Sequence, residues 1–369
     1  MKQIRTIVSC LLAAVIVVTA SAQPGKNGKL KYVEASNLTL CGQLMPGNPN
    51  PYHRVDTVRF KGFTEAENLQ VRESSGISVA FKTNSRCIKV RTIYGQCQFP
   101  TNTTGIAARG YDLYMRDKGG QWLYAESACK SDKHLLLGET LDLISDLDGS
   151  MHECLLYLPL FAEVDSLQIA VDNDAVIEPM ANPFRYRIGV FGSSFTHGTS
   201  TSRSGMTYPA QFSRLTGLQL LSLGCSGHSK LQPYFADVLA AARVDALLFD
   251  SFSNPSPKEI KERLFPFIER VQKAHPGIPL IFQRTIRREG RNFSVKTERY
   301  EAARIATADS MMALACKRYR DVYYIYPDAT ASDHLSTVDG VHPDDYGYTL
   351  WARSIVGQVL PILEKYGIK

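Results

Sequence analysis

The sequence lacks the features of several protein classes. It contains no CxxC pair and no cluster of cysteine and histidine residues at zinc-site spacing, so no bound metal is expected. It has no long basic run, and its formal net charge of +6 is mild for 369 residues, which gives nucleic-acid binding no support. There are neither repeats nor low-complexity segments. The composition, 44% hydrophobic and 21% charged, is ordinary for a globular protein, and the length is comfortable for two domains.

One apolar segment near the N-terminus predicts export. Lys2 and Arg5 precede residues 7–19, which are almost entirely apolar, and the small residues Ala20-Ser21-Ala22 follow. This pattern is typical of a secretory signal peptide over residues 1–22, cleaved near Ala22. The run is short for a bilayer span and no later run replaces it. We therefore expect a secreted or periplasmic protein with no stable membrane insertion after cleavage.

Cysteine is sparse for an exported protein. Cys10 lies in the predicted signal peptide, and seven others follow it: Cys41, Cys87, Cys97, Cys129, Cys154, Cys225 and Cys316. An odd number leaves at least one thiol unpaired or bonded to another molecule. The density is too low for a fold held mainly by disulfides, and the sequence fixes neither the pairing nor the oligomeric state.

Residues 23–184 have the pattern of short strands. Ile77, Val79 and Phe81 alternate with small residues, and the same period of two recurs over residues 88–90 and 167–171. Turn-forming glycine, asparagine and aspartate residues separate the segments. This pattern predicts an antiparallel β-sandwich of jelly-roll type, and no amphipathic helix is expected in this part of the chain.

Residues 185–369 instead alternate apolar strands with helices. Near-continuous apolar strands joined by helices indicate a parallel sheet covered on both faces, and five strands suit a flavodoxin-like doubly wound order. The expected strands are 186–191, 218–223, 246–249, 278–282 and 322–326, and the expected helices are 208–215, 231–242, 257–274, 295–316 and 344–366.

Polar residues follow several of these strands, at the sheet edge where such folds bind ligands. Gly192-Ser193-Ser194 follows the first strand and would present a hydroxyl there. Asn254, after the third strand, can offer a side-chain N–H to a developing oxyanion, or can cap the helix that begins near Pro257. Glycines after the second strand, Gly224 and Gly227, allow a close backbone approach, although taken alone they are better explained by a plain tight turn.

Asp339 and His342 stand three residues apart before the last predicted helix. Pro343 biases His342 away from the helical region, so the loop can turn the two side chains toward one another. Asp339 would then hold one ring nitrogen and leave the other for a nucleophile. All these loops are expected at the same edge of one sheet. Their combination therefore indicates an acyl-transfer site more specifically than any one of the segments does alone.

These residues carry a resemblance to a known family. Residues 185–369 resemble the SGNH/GDSL hydrolase superfamily, on Gly192-Ser193-Ser194, Gly227, Asn254 and Asp339-Gly340-Val341-His342-Pro343. The preceding part is similar to the β-sandwich companion domain named for its GxDLY motif, on Ala108-Arg109-Gly110-Tyr111-Asp112-Leu113-Tyr114. Ser193 stands where the hydrolase pattern has aspartate, and the third block departs from its usual form around Asn254.

The resemblance implies ester hydrolysis through an acyl-enzyme, without a cofactor. Ser194 is then the nucleophile, His342 the general base and Asp339 its partner, and the oxyanion hole is formed by Ser194, Gly227 and Asn254. We expect a carbohydrate esterase that removes an acetyl or other small acyl group. A lipid or lysophospholipid acylhydrolase is the alternative, and a non-catalytic carbohydrate-binding protein is an alternative of another class.

A loop after the fourth predicted strand concentrates arginines. Arg284, Arg287, Arg288 and Arg291 fall within eight residues with one acid among them. Arginine forks bind carboxylates and sulfates, so Arg284 and Arg287 are candidate contacts to an acidic glycan. Pairing of these arginines with nearby acids is the competing interpretation. Whether the β-sandwich binds glycan or only covers the hydrolase flank is also open.

Overall fold

A computed structural model describes residues 28–131 and 133–369. The predicted signal peptide therefore lies outside the described residues. Within them, no helix has both the length and the apolar character needed to cross a membrane. Cys41, Cys154 and Cys225 are buried as free thiols.

The first part of the chain forms two antiparallel sheets packed face to face. One has four strands in the order β1-β9-β4-β7, and the other has the order β10-β3-β8-β5-β6 with β2 paired to β3. The predicted β-sandwich is confirmed. The elements are β1 (Leu30–Glu34), β2 (Thr39–Cys41), α1 (Glu65–Arg72), β3 (Ser78–Thr83), β4 (Ile88–Cys97), α2 (Gly105–Arg109), β5 (Tyr111–Arg116), β6 (Trp122–Ala128), β7 (Thr140–Ile144), β8 (His152–Tyr157), β9 (Ala162–Asp172) and β10 (Ile177–Pro179).

Strand β3 shows why the sandwich packs on the second part of the chain. Val79 and Phe81 point into the core between the two sheets, as their alternation predicts. Ala80 points the other way, yet it is equally buried, in a cluster with Phe184 and Ala210. The six-stranded sheet therefore has apolar contacts on both faces.

Helix α1 lies in a part of the chain where the sequence pattern indicates no amphipathic helix, and its buried face explains why. Thr64 accepts a hydrogen bond from the Glu67 N–H (3.3 Å), and the Glu67 carboxylate accepts one from the Thr64 N–H (2.8 Å), which is a capping box. Much of its buried face is polar, because Glu67 also accepts hydrogen bonds from Gln232 and Tyr234. A helix that buries polar side chains against polar partners has no apolar period to recognise.

The second part is a five-stranded parallel sheet in the order β12-β11-β13-β14-β15. The second strand in the chain lies at the edge beside the first, so the predicted flavodoxin-like doubly wound order is confirmed. The elements are β11 (Arg185–Gly192), α3 (Ser194–His197), α4 (Tyr208–Thr216), β12 (Leu218–Gly224), α5 (Pro233–Ala241), β13 (Ala246–Asp250), α6 (Pro257–Ala274), β14 (Leu280–Gln283), α7 (Val295–Arg318), β15 (Val322–Ile325) and α8 (Asp345–Glu364).

Helices cover both faces of this sheet. Phe191 and Phe249 face the layer formed by α5, α6 and α7, and Val190 and Leu248 face the layer that contains α4 and α8. Neighbouring residues of each strand are therefore buried on opposite sides. This explains why the strands are largely apolar instead of alternating.

The two parts share buried apolar contacts. Leu44, Val55 and Val71 belong to the same buried cluster as the helices α5 and α6. The domain boundary expected between residues 184 and 185 does separate the antiparallel sheets from the parallel sheet along the chain. Buried apolar side chains from both sides of this boundary nevertheless pack together. The sandwich is thereby fixed against the sheet edge from which the candidate site is built.

Candidate active site

The end of β11 presents Ser194 at the carboxyl edge of the parallel sheet. A Cβ atom on Gly192 would lie 1.9 Å from Thr196 Oγ1, so only glycine permits this turn. Ser193 is the N-cap of the short helix α3, and Ser194 is its first residue. The Ser194 hydroxyl lies 2.9 Å from His342 Nε2.

The loop before α8 brings Asp339 and His342 together, as their spacing predicts. Asp339 Oδ2 lies 2.7 Å from His342 Nδ1. Its other oxygen, Oδ1, accepts the backbone N–H groups of Val341 (3.0 Å) and His342 (2.8 Å). The carboxylate thus turns its own loop and orients the ring, so that Nε2 faces Ser194.

The surroundings shift the ionisation of both groups. Burial alone would raise the pKa of Asp339, but hydrogen bonds from the backbone and ring of His342 and from Asn102 lower it to about 2. Burial lowers the pKa of His342 below its ordinary value, and the charge of Arg288 acts in the same direction, while Asp339 opposes them. At neutral pH the ring is therefore neutral and able to accept a proton from Ser194.

Ser193 has a different task from Ser194. Its hydroxyl donates to Asp250 Oδ2 (2.7 Å), which also accepts from the Ser193 N–H (3.1 Å) and the Thr196 hydroxyl (3.0 Å). Asp250 is fully buried, and its burial raises its pKa despite these hydrogen bonds. Ser193 thus fixes the turn that carries Ser194 and makes no contact with His342.

The loops after β12 and β13 meet at Asn254. Its Oδ1 accepts the N–H of Ser229 at 3.2 Å, which ties it to the loop that carries Gly227. Gly227 has a φ of +75°, which glycine adopts without strain. The alternative role of Asn254 as the cap of α6 is wrong, because Ser256 is the cap and forms a capping box with Glu259.

Three N–H donors remain available in the loops that follow β11, β12 and β13. Within residues 28–131 and 133–369, the backbone N–H groups of Ser194 and Gly227 and the side-chain amide of Asn254 donate to no other group. Ser194 N–H stands at the start of a helical turn, where such groups have no intrahelical acceptor. Unused donors at a sheet edge are what an oxyanion hole requires.

The sandwich contributes directly to the triad loop through Asn102. This residue lies in the loop between β4 and α2, and its amide donates to Asp339 Oδ2 at 2.8 Å. The same amide nitrogen is 3.5 Å from His342 Nδ1. The sequence offered no signal for it, because an asparagine in a polar loop is common and its partner lies 237 residues away.

Residues of the sandwich part also hydrogen-bond to the loop that carries Gly227. Arg54 is fully buried, and its Nη1 donates to the carbonyl of Gly224 at 2.8 Å. Its Nε donates to the Glu73 carbonyl at 2.8 Å, and the neighbouring Gln70 donates to the Ser226 carbonyl at 3.1 Å. Two of these donors satisfy carbonyls of the residues just before Gly227, which fixes the loop that carries its N–H.

The GxDLY motif lies at the junction of the two parts. Asp112 is fully buried and accepts Arg203 Nη1 at 3.0 Å through each oxygen and the Gly205 N–H at 2.7 Å. The Tyr114 hydroxyl contacts the same guanidinium at 2.6 Å, and the Arg214 guanidinium lies over the Tyr114 ring at 4.1 Å. Asp112 and Tyr114 therefore join the sandwich to the segment between α3 and α4.

The arginine loop pairs mainly with groups of its own surroundings. Arg284 makes a bidentate ion pair with Asp309 (2.9 and 3.0 Å), and Arg287 donates to Asn292 at 2.5 Å. Arg288 donates to the Ser253 carbonyl at 2.7 Å and pairs with Glu301 at 3.2 Å. The competing interpretation therefore describes Arg284, whereas Arg287 is 45% exposed with a single hydrogen-bonded donor, so its contact to an acidic glycan stays a prediction.

One group of side chains among the described residues has metal-ligand character. It comprises His53, Glu163 and Asp165. His53 Nε2 lies 3.2 Å from Glu163 Oε1, and Arg72 Nε contacts the same oxygen at 2.7 Å. Because the arginine already neutralises the central carboxylate, this group is better described as a structural ion pair.

Comparison with known proteins agrees with this architecture. A sequence model of the GDSL-like lipase/acylhydrolase family matches residues 185–360, and a model of the GxDLY domain, the N-terminus of SGNH-hydrolase-type esterases, matches residues 30–177. No curated protein matches the chain. Among solved structures, a protein named as a GDSL-like lipase from Bacteroides ovatus is 34% identical, with a TM-score of 0.85 over 91% of this chain and 98% of that one.

Two more distant structures share the whole fold. A salicylyl-acyltransferase from a tetracycline biosynthetic pathway is 17% identical, with a TM-score of 0.67 over 90% of this chain and 99% of its own. A family two carbohydrate esterase from Cellvibrio japonicus is 11% identical, with a TM-score of 0.60 over 91% of this chain and 99% of its own. At these identities the two show the fold alone. The family matches and the Bacteroides ovatus protein show that the chain belongs to the GDSL-like lipase/acylhydrolase family, with the N-terminal domain of SGNH-type esterases, and is an ester hydrolase.

Proposed function

We propose that the protein is a secreted serine esterase that removes a small acyl group, in particular acetyl, from a carbohydrate. The observation that carries the mechanism is the continuous series of contacts from Ser194 through His342 to Asp339, at 2.9 and 2.7 Å. His342 and Asp339 have the ionisation states that acyl transfer needs at neutral pH, since the pKa of each is lowered, which keeps His342 neutral and Asp339 ionised.

Acylation begins when Ser194 Oγ attacks the ester carbonyl carbon. His342 Nε2 takes the hydroxyl proton as the new C–O bond forms, and the carbonyl electron pair moves onto the oxygen. Collapse of this intermediate breaks the bond to the alcohol, which leaves with the proton from His342. Water then repeats the sequence on the acyl-enzyme, releasing the acid and restoring Ser194. Asp339 stays ionised and stabilises the imidazolium in both halves.

The negative oxygen of each intermediate would be received by the three free donors. These are the Ser194 and Gly227 N–H groups and the Asn254 side-chain amide. Losing one such donor typically lowers turnover by about 100- to 1,000-fold. The contact between Asn254 and Ser229 supports this role, because it turns the amide oxygen toward the neighbouring loop and leaves the amide nitrogen unused.

A carbohydrate as the alcohol is supported by two observations. A structural neighbour is named as a carbohydrate esterase. The cleft that contains Asn102, the partner of Asp339, carries hydroxyl, amide and carboxylate groups that can hydrogen-bond to a polyhydroxylated ligand. The signal peptide expected over residues 1–22 would bring the enzyme into contact with extracellular or periplasmic glycans.

A chain-length series of aryl esters tests the proposal against lipid hydrolysis. We expect 4-nitrophenyl acetate to be cleaved with a higher kcat/KM than the decanoate or palmitate ester, and acetylated sugars to release acetate. Ser193→Ala, which removes a hydroxyl one residue away, is the matched control for Ser194→Ala. A preference for palmitate would contradict the assignment of a small acyl group, and activity in Ser194→Ala would contradict the mechanism.

A further inference from the structure

The arginine loop, residues 284–294 between β14 and α7, contacts three segments of the candidate site. The first is the triad loop. The Gly290 N–H donates to the Gly340 carbonyl at 2.7 Å, and Gly340 lies between Asp339 and His342 in the chain. A Cβ atom on Gly340 would lie only 3.2 Å from the Gly290 nitrogen, so the two backbones are in close contact. The arginine loop therefore meets the triad at the turn that joins its acid to its base.

The second segment is the turn that carries Asn254. The hydroxyl of Ser253, the preceding residue, lies 2.8 Å from the Thr285 hydroxyl. Arg288 Nη2 donates to the Ser253 carbonyl at 2.7 Å. This carbonyl belongs to the same peptide unit as the Asn254 N–H, so the guanidinium fixes the peptide from which the Asn254 side chain projects. Because Ser253 is buried, its carbonyl depends on such a donor.

The third segment is the helical turn that begins with Ser194. The central carbon of the Arg288 guanidinium lies 5.4 Å from the centre of the Phe195 ring, which is within the range of a cation–π contact. The Phe195 ring is fully buried and packs edge-on against the His342 ring, with 5.6 Å between their centres. Arg288 therefore contacts both the turn that carries Asn254 and the helical turn that carries Ser194.

Buried partners keep the Arg288 side chain in place. It is 14% exposed, and its Nη1 pairs with Glu301 Oε1 at 3.2 Å. Glu301 also pairs with Arg304, so two buried arginines share one carboxylate of α7. Burial and the charge of Arg304 lower the pKa of Arg288 to about 10, while Glu301 and Asp250 oppose them. Arg288 is therefore charged at neutral pH.

We propose that Arg288 is a positioning residue, whose guanidinium holds the turn of Ser253 and Asn254 against the helical turn that carries Ser194. The Ser194 N–H and the Asn254 amide come from separate loops, and they can stabilise one oxyanion only if their spacing is fixed before the reaction. Arg288 comes from a third loop and contacts both of the others. This inference rests on the proposed function and adds to it a residue that does not touch the substrate.

A double-mutant cycle between Arg288 and Asn254 tests this role. Losing an oxyanion donor costs more than displacing it, so Arg288→Gln should lower kcat for 4-nitrophenyl acetate only about tenfold, with KM changed less than about twofold. In Asn254→Ala, the same change should lower kcat by less than about threefold, because the donor that Arg288 positions is already absent. Arg291→Gln is the matched control. Arg291 is 12% exposed and pairs with Glu298 of α7, and its loss should leave kcat as in the wild type.

Arg288→Lys separates the shape of the side chain from its charge, and it carries the test if Arg288→Gln fails to fold. Asp339 and Arg288 are the charged groups that act on His342. Lysine keeps the positive charge, so the midpoint of the pH–rate profile should stay as in the wild type, whereas Arg288→Gln should raise it. A lysine ammonium lacks the planar fork that reaches Ser253 and Glu301 together, so kcat should still fall about threefold.

Three results would overturn the role of Arg288 and leave the esterase mechanism intact. One is a loss from Arg288→Gln of equal factor with Asn254 present and absent. Another is an equal loss in Arg291→Gln, which would show that any change in the loop has this effect. The third is a wild-type kcat in Arg288→Lys. A wild-type protein without esterase activity would instead overturn the proposed function itself.

Discussion

Replacing Arg203 with alanine should destabilise the protein strongly, and more so at high pH. Among the residues that the structure describes, the change leaves the fully buried carboxylate of Asp112 with a single hydrogen-bond donor, the Gly205 N–H at 2.7 Å. Removing one partner of a buried ion pair typically costs roughly 3–5 kcal/mol. The Arg203 side chain is itself 21% exposed, so a loss of about 3 kcal/mol, at the lower end of that range, is expected.

The pH dependence follows from the carboxyl group left behind. Burial already raises the pKa of Asp112, and Arg203 opposes that rise. Without Arg203 the folded state holds a proton at a pH where the unfolded chain does not. Folding then takes up a proton, and the stability of the variant relative to the wild type improves as pH falls. The loss should be largest near pH 8 and smaller near pH 5.

Urea unfolding at the two pH values measures this effect. Trp122 lies in β6 of the sandwich and Trp351 in α8, so fluorescence reports on both parts. Arg318→Ala is the matched control, because its ion pair with Glu269 has the same type of contact (2.9 Å) with side chains 56% and 50% exposed. That change should cost less than about 1 kcal/mol. An Arg203→Ala loss below about 1 kcal/mol that does not vary with pH would refute the assignment of Asp112 as a desolvated partner.

Changes around the triad should separate catalysis from folding. Ser193→Ala should keep fluorophosphonate labelling but lower stability by about 1–3 kcal/mol, since buried Asp250 loses a donor; loss of labelling would contradict this. Asn102→Ala should lower kcat/KM for 4-nitrophenyl acetate about tenfold. It should also raise the midpoint of the pH–rate profile, because the Asp339 carboxylate loses the Asn102 hydrogen bond and then stabilises the protonated form of His342 more strongly. An unchanged pH profile would contradict a positioning role for Asn102. The wild-type kcat/KM should rise with pH through a midpoint below about 6.5, because burial lowers the pKa of His342, and a higher midpoint would count against that environment.

The sheet and its catalytic loops were predictable because their signals are local. Helix α6 occupies Pro257–Ala274 as expected, since proline opens it and an apolar period runs through it. Asp339 and His342 face one another because the Asp339 carboxylate accepts the backbone N–H three residues on, a short-range contact that the spacing anticipates. Ser194 follows a largely apolar strand of the parallel sheet, whose carboxyl end lies at the edge where such sheets bind ligands.

The contacts between the two parts were not predictable because nothing local encodes them. Nothing in the sequence around Arg54 distinguishes it from other polar residues of a β-domain, because its partner, the Gly224 carbonyl, is 170 residues away along the chain. The same holds for Asn102 and its partner Asp339.

Intact-mass spectrometry after reaction with a fluorophosphonate tests the central claim most directly. The account predicts one adduct per chain, located at Ser194 by peptide mapping, formed faster at pH 7.5 than at pH 5 because His342 must be neutral. Ser194→Ala should form no adduct, and Ser193→Ala should form it at Ser194. An adduct on another residue, or labelling of Ser194→Ala at the wild-type rate, would contradict the assignment of Ser194 as the nucleophile.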